Sequence, residues 1–379
     1  MSKRPIDKVR VESAGGVFDK FESLAIVNTI DGQSEASFDV GDDTAWEALE
    51  RIVAPGQEFS IFVNDRLRMK GRAEVNEAPA EASTGFGLRL VCRTKMADAR
   101  YAGANPSTRV EKTTLKDFVL AVYAPLGILE PDFLFAEATA RDLMTGKSAG
   151  GKPPVDLAVI KLEQAKVNPP ETIFAAVERH LKRQHMMHWD APDGRILVGA
   201  PDDTQAPLYR AICKRSGPLS QGNNIVKASR TRDWSEVASD VTVYGQSAGK
   251  ELAKASVRGT SADLDLAEVY ANTGHFFRPV ALVSEQVKDN DTATAQAIRE
   301  RSTRARRKDA WDFTFDGWAY WDGNESIPWA HNTMIDVDVD AVSGSAKGQY
   351  LVHRVELRLG VNEAPTAKVS VVAKGIWVI

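Results

Sequence analysis

Apolar residues alternate with other residues over much of both ends of this chain, a period of two that is typical of β-strands with one buried face. The first 98 residues hold four such runs: Val9/Val11, Leu24/Ile26, Phe59/Ile61/Val63 and Leu88/Leu90/Cys92. Turn-forming pairs such as Gly15-Gly16 and Asn64-Asp65 separate the runs. One short helix is predicted over residues 44–53, between an Asp43 N-cap and the breaker Pro55-Gly56. Several short strands with one helix predict a small β-barrel or sandwich.

The middle of the chain, residues 99–205, changes to helical spacing. A helix is predicted over residues 115–123 after the capping pair Thr113-Thr114, and a second follows Pro169-Pro170-Glu171-Thr172. Residues 206–379 return to alternation, with an inserted helix near residues 291–308. The predicted fold is therefore α+β and β-rich: two small β-barrels, 1–98 and 206–379, that superpose on each other and are joined by a mixed α/β middle domain.

Composition narrows the class of protein without identifying it. The 379 residues are 43% hydrophobic and 26% charged, which is ordinary for a globular protein, and are enough for two or three domains. A net charge of −4 argues against general nucleic-acid binding. Cys92 and Cys213 are far apart and flanked by apolar residues, so free buried thiols are expected. The N-terminus lacks the apolar core of a signal peptide, so we expect folding in the cytoplasm without a membrane anchor.

The string Gly245-Gln246-Ser247-Ala248-Gly249 matches the nucleophile elbow of α/β-hydrolases, where a strained strand-to-helix turn exposes a serine. A strand is predicted over residues 241–244 and a helix over residues 250–255. The histidines downstream that could act as the base are His275, His331 and His353. The chain lacks the alternating βαβ pattern of that fold, and no glycine-rich oxyanion segment precedes the motif. We therefore expect Ser247 to have no catalytic role.

Three further motifs are incomplete. His180, His185 and His188 are spaced five and three apart, so only the last two could share a helix face, and a polar helix end is the simpler interpretation. Asp336, Asp338 and Asp340 begin like a calcium loop, but Ala341 and Lys347 replace its glycine and glutamate, which indicates a strand with an acidic outer face. Gly146-Lys147-Ser148 lacks the earlier glycine and strand of a phosphate loop. We expect no catalytic, cofactor-binding or metal-binding residues and no cofactor.

Two surfaces remain as candidates for contacts with partners. Residues 299–308 are basic, and contact with the phosphates of DNA, contact with an acidic protein surface, or a solvated helix end would each explain them. Residues 311–329 are dense in aromatic side chains and form either a carbohydrate- or base-stacking platform or, as we prefer, core and subunit interface. The aromatic residues are Trp311, Phe313, Phe315, Trp318, Tyr320, Trp321 and Trp329.

Residues 195–247 show the most specific order of motifs: a strand over residues 195–198, an apolar run over 208–213, the turn Gly222-Asn223-Asn224 and a strand that ends in VYGQS. This order resembles that of the baseplate hub proteins of contractile-tailed phages, specifically the Mu-like tail protein P group. GGVFDKFESLAIVNTID, IVAPGQEFSIFVND, TTLKDFVLAVYAPLGI and GQYLVHRVELRL resemble other parts of the same family, so the resemblance covers nearly the whole chain. Cys92-Arg93 stands where relatives more often have Gly-Arg.

The resemblance implies a structural role in a virion. Hub proteins of this kind are homotrimers with two similar barrels in each chain, so that six barrel-like units match a trimeric spike on one side and a hexameric tail tube on the other. The resemblance also implies an adaptor whose partners are the membrane-puncturing spike, the tail tube and other baseplate proteins. Such an adaptor forms part of the DNA conduit without recognising a specific DNA sequence. It is assembled in the host cytoplasm. A serine hydrolase using Ser247 and a host- or carbohydrate-binding module using residues 311–329 remain the alternatives.

Overall fold

A computed structural model describes residues 7–40, 56–77, 80–81, 85–86, 88–135, 157–184, 186–215, 222–246, 256–262, 264–275, 277–284, 290–306, 308–322, 325–342, 344–360 and 363–375. Internal contacts divide the chain into two compact units: residues 1–228 with 312–371, and residues 229–311 with 372–379. We call these the large unit and the small unit. The predicted helix over residues 44–53 and the loop around Gly146-Lys147-Ser148 lie outside the described residues.

The strands are numbered in chain order. Those of the first 135 residues are β1 Val9–Ser13, β2 Gly16–Phe18, β3 Ser23–Thr29, β4 Glu35–Val40, β5 Glu58–Val63, β6 Arg66–Glu77, β7 Ala80–Glu81, β8 Gly85–Phe86, β9 Leu88–Arg93, β10 Arg109–Thr114 and β11 Phe133–Phe135. Those that follow are β12 Lys161–Lys166, β13 Met187–Asp190, β14 Ile196–Gly199, β15 Tyr209–Cys213, β16 Ile225–Thr231, β17 Asp240–Gln246, β18 Ser256–Ala262, β19 Pro279–Ser284, β20 Ala310–Asp316, β21 Ala319–Trp321, β22 Ser326–Pro328, β23 Thr333–Val339, β24 Ala346–Leu359 and β25 Thr366–Ala373. The α-helices among the described residues are α1 Lys95–Tyr101, α2 Leu115–Tyr123, α3 Ile173–Arg183, α4 Leu264–Thr273 and α5 Asn290–Ala305.

The alternating runs of the first 98 residues all form strands, namely β1, β3, β5 and β9. Burial follows the alternation: in β4 and β5 every second side chain is buried. Asn64 and Asp65 both have positive φ, at 51° and 61°, and join β5 to β6. Left-handed residues at both turn positions match the right-handed twist of a two-residue hairpin, which explains this Asn-Asp pair.

A single large sheet collects strands from both ends of the chain. Its strand order is β16-β20-β25-β24-β3-β4-β9-β6-β5-β1-β2, with β23 also paired to β24 and β15 paired to β23. The link is the antiparallel pair of β3 and β24, in which Leu24 faces Leu359 and Thr29 faces Arg354. The α+β, β-rich class is confirmed. Among the described residues this sheet is one open path with no closed barrel, and the two small barrels that superpose on each other stay a prediction.

The helical part of the large unit follows the predicted caps. The Thr114 hydroxyl accepts from the Asp117 amide at 3.1 Å at the start of α2, and the Thr172 hydroxyl accepts from the Ala175 amide at 3.2 Å at the start of α3. A threonine at this position satisfies one of the free amides of the first turn. The apolar faces of α2 and α3 share a core with the small sheet β11-β14-β13, and this core includes Phe118, Val122, Val177 and Ile196.

The small unit contains a three-stranded sheet of order β18-β17-β19, in which β17 is antiparallel to β18 and parallel to β19. Ala293 and Ala297 of α5 pack against Val241 and Val243 of β17. Alanines allow this helix to lie close to the sheet. α5 is the helix that the sequence predicts near residues 291–308. The domain boundaries predicted at residues 98 and 205 stay a prediction.

Candidate functional site

The hydrolase motif lies at the end of β17. Gly245 and Gln246 are the last residues of this strand, whereas Ser247 lies outside the described residues. β17 and the next described strand, β18, form an antiparallel pair from Asp240 to Gln246. A nucleophile elbow instead connects a strand of a largely parallel sheet directly to a helix. The described surroundings of the motif therefore do not resemble those of a hydrolase.

The three histidines proposed as bases lie in different settings. His331 is fully buried, and desolvation, followed by the charge of Arg68, lowers its pKa to about 3. His275 is exposed at the end of α4. The Nδ1 atom of His353 lies 3.9 Å from a carboxylate oxygen of Asp31, an acidic neighbour that the sequence did not predict. Since the His331 side chain is fully enclosed, a substrate cannot come within hydrogen-bond distance of it.

The histidines near Trp189 are buried among aromatic rings instead of forming a polar helix end. His180 of α3 packs on the Phe118 ring at 4.4 Å, and His188 of β13 packs on Phe174 at 4.3 Å. Their exposed fractions are 2% and 1%, so the prediction of a polar helix end was wrong for both. His185 lies outside the described residues. Among the described residues, no three histidine, cysteine or acidic side chains are grouped as a metal site would need.

His188 has a buried acidic neighbour in Glu178 of α3. Its Nδ1 atom lies 3.1 Å from Glu178 Oε2, and Lys182 Nζ lies 3.0 Å from Glu178 Oε1. Burial by itself raises the pKa of Glu178, but the interactions with His188 and Lys182 outweigh it and hold the pKa below the usual 4.5. Glu178 therefore stays ionised and connects α3 to β13.

We expect Glu178→Gln to lower the free energy of unfolding at pH 7 by about 1–3 kcal/mol, because it leaves His188 buried without a charged partner. A depressed folded-state pKa gives stability that is present above the unfolded pKa and is lost as the pH falls through the folded pKa. The difference between wild type and variant should therefore shrink below about pH 4.5. Urea titrations at pH 7 and at pH 4 measure it, and a difference that grows on acidification would contradict the assignment.

The acidic strand β23 is paired with basic side chains and is not arranged as a metal site. Asp336, Asp338 and Asp340 lie on the half-exposed face, while Val337 and Val339 are buried, as the alternation predicts. Lys214 forms ion pairs with Asp338 and, at 4.0 Å, with Asp340. The Lys214 hydrogen bond lowers the pKa of Asp338. These carboxylates thus stabilise the parallel pair of β15 and β23.

The aromatic stretch is mainly core. The side chains of Trp311, Phe313, Phe315, Trp318 and Trp329 are all at most 3% exposed. Rings this deeply buried have no face free for a sugar or a base, so the described structure gives no support to a stacking platform at these residues. The predicted core is confirmed, and the predicted subunit interface stays a prediction.

The basic segment begins within α5 and is partly covered. Arg304 Nε pairs with Glu300 at 2.9 Å, one helical turn away, and Lys308 lies over the Trp234 ring at 5.2 Å. Residues 299–302 and 304–306 are buried or half-buried. This stretch is therefore anchored within the small unit, unlike a loose, solvated helix end.

An open groove of about 520 Å³ lies in the large unit, between β1 and the segments around Trp318 and Pro365. Half of its lining residues are charged, whereas pockets for small molecules are mostly apolar. The lining residues are Asp7, Lys8, Val9, Arg10, Asp19, Phe21, Asp65, Trp318, Leu359 and Pro365. Asp7 is engaged there, since one of its oxygens accepts from the Trp318 amide at 2.8 Å. The groove thus lacks the character of a substrate site.

Sequence reasoning missed a buried polar group at Arg68. Its side chain is on β6, only 2% exposed, and Nη2 donates to the Trp329 carbonyl oxygen at 2.5 Å. In the run Arg66-Leu67-Arg68-Met69-Lys70, alternation predicts that Arg68 faces outward with its basic neighbours. No sequence signal marks Arg68 as buried, because its direction depends on a one-residue slip in the pairing of β6 with β5, which only the structure shows.

Comparison with known proteins gives structural matches alone. No protein-family model matches the chain, and no curated protein matches its sequence. The structure is similar to that of the 43 kDa tail protein of prophage MuSo2 from Shewanella oneidensis, with a TM-score of 0.75 and 16% identity over 98% of this chain and 99% of that one. It is equally similar to the tail protein from Neisseria meningitidis MC58, with a TM-score of 0.75 and 18% identity over 98% of both chains.

A third match is more distant. The E. coli c3393 protein is a component of the type VI secretion system and is structurally similar to the bacteriophage T4 tail proteins gp27 and gp5. It aligns with a TM-score of 0.51 and 8% identity over 97% of this chain and 78% of that one. Among the described residues, no helix has the length and apolar character of a membrane span. Over almost its whole length, this chain has the fold of prophage tail proteins.

Proposed function

We propose that this protein is the structural baseplate hub of a contractile phage tail. In this role it is a homotrimeric adaptor that joins a trimeric spike to a hexameric tail tube and forms part of the conduit for DNA. The observation that carries the proposal is the match to two prophage tail proteins over 98% of the chain. A likeness that includes both ends of the chain and the middle supports a common architecture rather than one shared domain.

The large sheet supports an adaptor role in physical terms. Strands from both ends of the chain pair through β3 and β24, so the two ends form one continuous structure. We also propose that the chain retains three functional regions, residues 1–98, 99–205 and 206–379, and that the protein resides in the baseplate of the virion after assembly in the host cytoplasm.

The proposal assigns no enzymatic role. The type VI component among the matches supports a tail-protein role, since that protein resembles the phage T4 tail proteins gp27 and gp5. The buried His331 and the covered aromatic stretch supply neither a catalytic base nor a sugar-stacking surface in the described residues. Nothing in the described part of the chain favours the serine hydrolase or the host-binding module.

We expect the purified protein to be a trimer of about three times the 41.4 kDa chain mass. The interface should bury on the order of 2,000 Å² or more for each pair of chains, because a permanent assembly requires it. Size-exclusion chromatography with light scattering over a hundredfold range of concentration measures this. A monomer at every concentration would contradict the hub proposal.

The alternatives give different results in parallel assays. Ester hydrolysis by the wild type that disappears in Ser247→Ala would support the hydrolase and overturn the assignment of no catalytic role. Co-expression with the gene for a neighbouring spike protein should yield a complex of three chains with three spike chains. Binding to host glycans by the isolated protein, without trimerisation, would favour the host-binding module.

A further inference from the structure

Arg68 is turned into the large unit by a β-bulge. In the pairing of β5 with β6, Ile61 faces Met69 and Phe62 faces Leu67, so Arg68 has no opposite residue. An extra residue of this kind bends the strand and re-aims a side chain. Arg68 and Met69 are consequently both buried, although they are adjacent in a strand.

The guanidinium of Arg68 is left largely unsatisfied. Only Nη2 has an acceptor, the Trp329 carbonyl oxygen at 2.5 Å, whereas Nη1 and Nε have none. Among the residues that the structure describes, no carboxylate forms an ion pair with Arg68. Burial lowers the pKa of Arg68 to about 10, so the side chain remains a cation at physiological pH. A buried cation without an anionic partner is strongly unfavourable.

The neighbours of Arg68 do not supply the missing negative charge. His331 is 0% exposed and neither ring nitrogen has a hydrogen-bond partner; because its pKa is about 3, it is neutral. The indole nitrogen of Trp329, a donor only, is also without a partner. The Tyr209 hydroxyl donates to the Pro328 carbonyl oxygen at 2.6 Å and accepts from the Ala330 amide at 2.8 Å. We call Arg68, Tyr209, Trp329 and His331 the Arg68 cluster.

We propose that the Arg68 cluster binds a small inorganic anion of the halide class, chloride in the cell. The unsatisfied donors of Arg68 require an acceptor, and a negative charge there offsets the charge of the guanidinium. An arginine that is 2% exposed excludes a carboxylate from a partner protein and a bulky organic anion. The bound ion fixes the β6 bulge to the segment between β22 and β23. This inference does not depend on the proposed hub function.

The test compares anions at constant ionic strength with the full-length protein. Thermal unfolding of the wild type, Arg68→Met and the control Arg66→Met is measured in sodium chloride and in sodium gluconate, whose anion is too large for a buried site. Arg66 is exposed two residues away on the same strand. An ion that binds only the folded state raises the melting temperature with its concentration. Effects of salt on protein stability in general act on both variants, so the comparison between them isolates the effect of an ion bound at Arg68.

We expect the wild type and Arg66→Met to melt several degrees higher in chloride than in gluconate, and Arg68→Met to melt at the same temperature in both. Equal melting of the wild type in the two salts, or a chloride effect retained in Arg68→Met, would overturn the proposal. If Arg68→Met does not fold, crystals of the wild type grown in bromide decide. An anomalous peak in contact with the Arg68 guanidinium supports the site, and water or no peak there refutes it.

Discussion

Gly71→Ala should cost about 3 kcal/mol or more of unfolding free energy, an effect of the size seen when an added side chain cannot be accommodated. Gly71 lies in β6, and a Cβ placed on it would be 2.2 Å from the Arg93 carbonyl oxygen and 2.8 Å from its carbonyl carbon. Both obstructing atoms belong to the backbone of the neighbouring strand β9. They cannot move away without opening the β6–β9 pairing, which runs from Arg72 opposite Arg93 to Glu77 opposite Arg89.

Gly103→Ala is the matched control for this substitution. No atom lies within 4 Å of a Cβ built on Gly103, and its φ is outside the left-handed region. We expect a change within about 0.5 kcal/mol, because alanine there meets no obstacle and loses less chain entropy on folding. Chemical unfolding at one fixed chain concentration compares the two variants, since any assembly also contributes to stability. Equal stability of Gly71→Ala and Gly103→Ala would show that β6 and β9 are not this close.

Trp329→Ala should lower the unfolding free energy by about 3–5 kcal/mol, as expected when a fully buried tryptophan is truncated and leaves a cavity. Trp329 is 0% exposed. Its ring centroid lies 4.5 Å from that of Tyr209, 4.4 Å from that of Phe315 and 5.5 Å from that of Tyr320. Each ring thus loses a close partner in the variant, beyond the apolar area that is exposed.

The control is Tyr101→Ala, since the Tyr101 side chain is 63% exposed and contacts the Arg93 guanidinium at 5.7 Å from its ring centroid. We expect a loss of at most about 1 kcal/mol. The comparison also separates the two interpretations of the aromatic stretch. A stacking platform predicts that Trp329→Ala folds as stably as Tyr101→Ala and loses only ligand binding, a result that would contradict a core role for Trp329.

Local features of the structure were predictable where they depend on neighbours in sequence. Alternation located β1, β3, β5 and β9, and the threonine caps located the starts of α2 and α3. The acidic face of β23 followed from the same period of two. Because Ala341 and Lys347 replace the glycine and glutamate of a calcium loop, the sequence predicted a strand there, and residues Thr333–Val339 form β23.

Candidate site residues were less predictable, because burial depends on what covers a side chain. Cys92 is buried, and burial raises its thiol pKa, but Cys213 is only half-buried. His180 and His188 carry no sequence signal that distinguishes a buried ring from an exposed one. Their positions depend on Phe118 and Phe174, which the fold brings against them.

The sequence by itself determined the class of the fold, because strand periodicity and helix caps are properties of short stretches of chain. Tertiary structure alone decided that β3 pairs with β24, more than 300 residues away, and that both ends of the chain share one open sheet. Alternation shows which face of a strand is buried but not which strand lies beside it. A slip of one residue between β5 and β6 likewise reversed the direction of Arg68, because side chains in a strand change face at every residue.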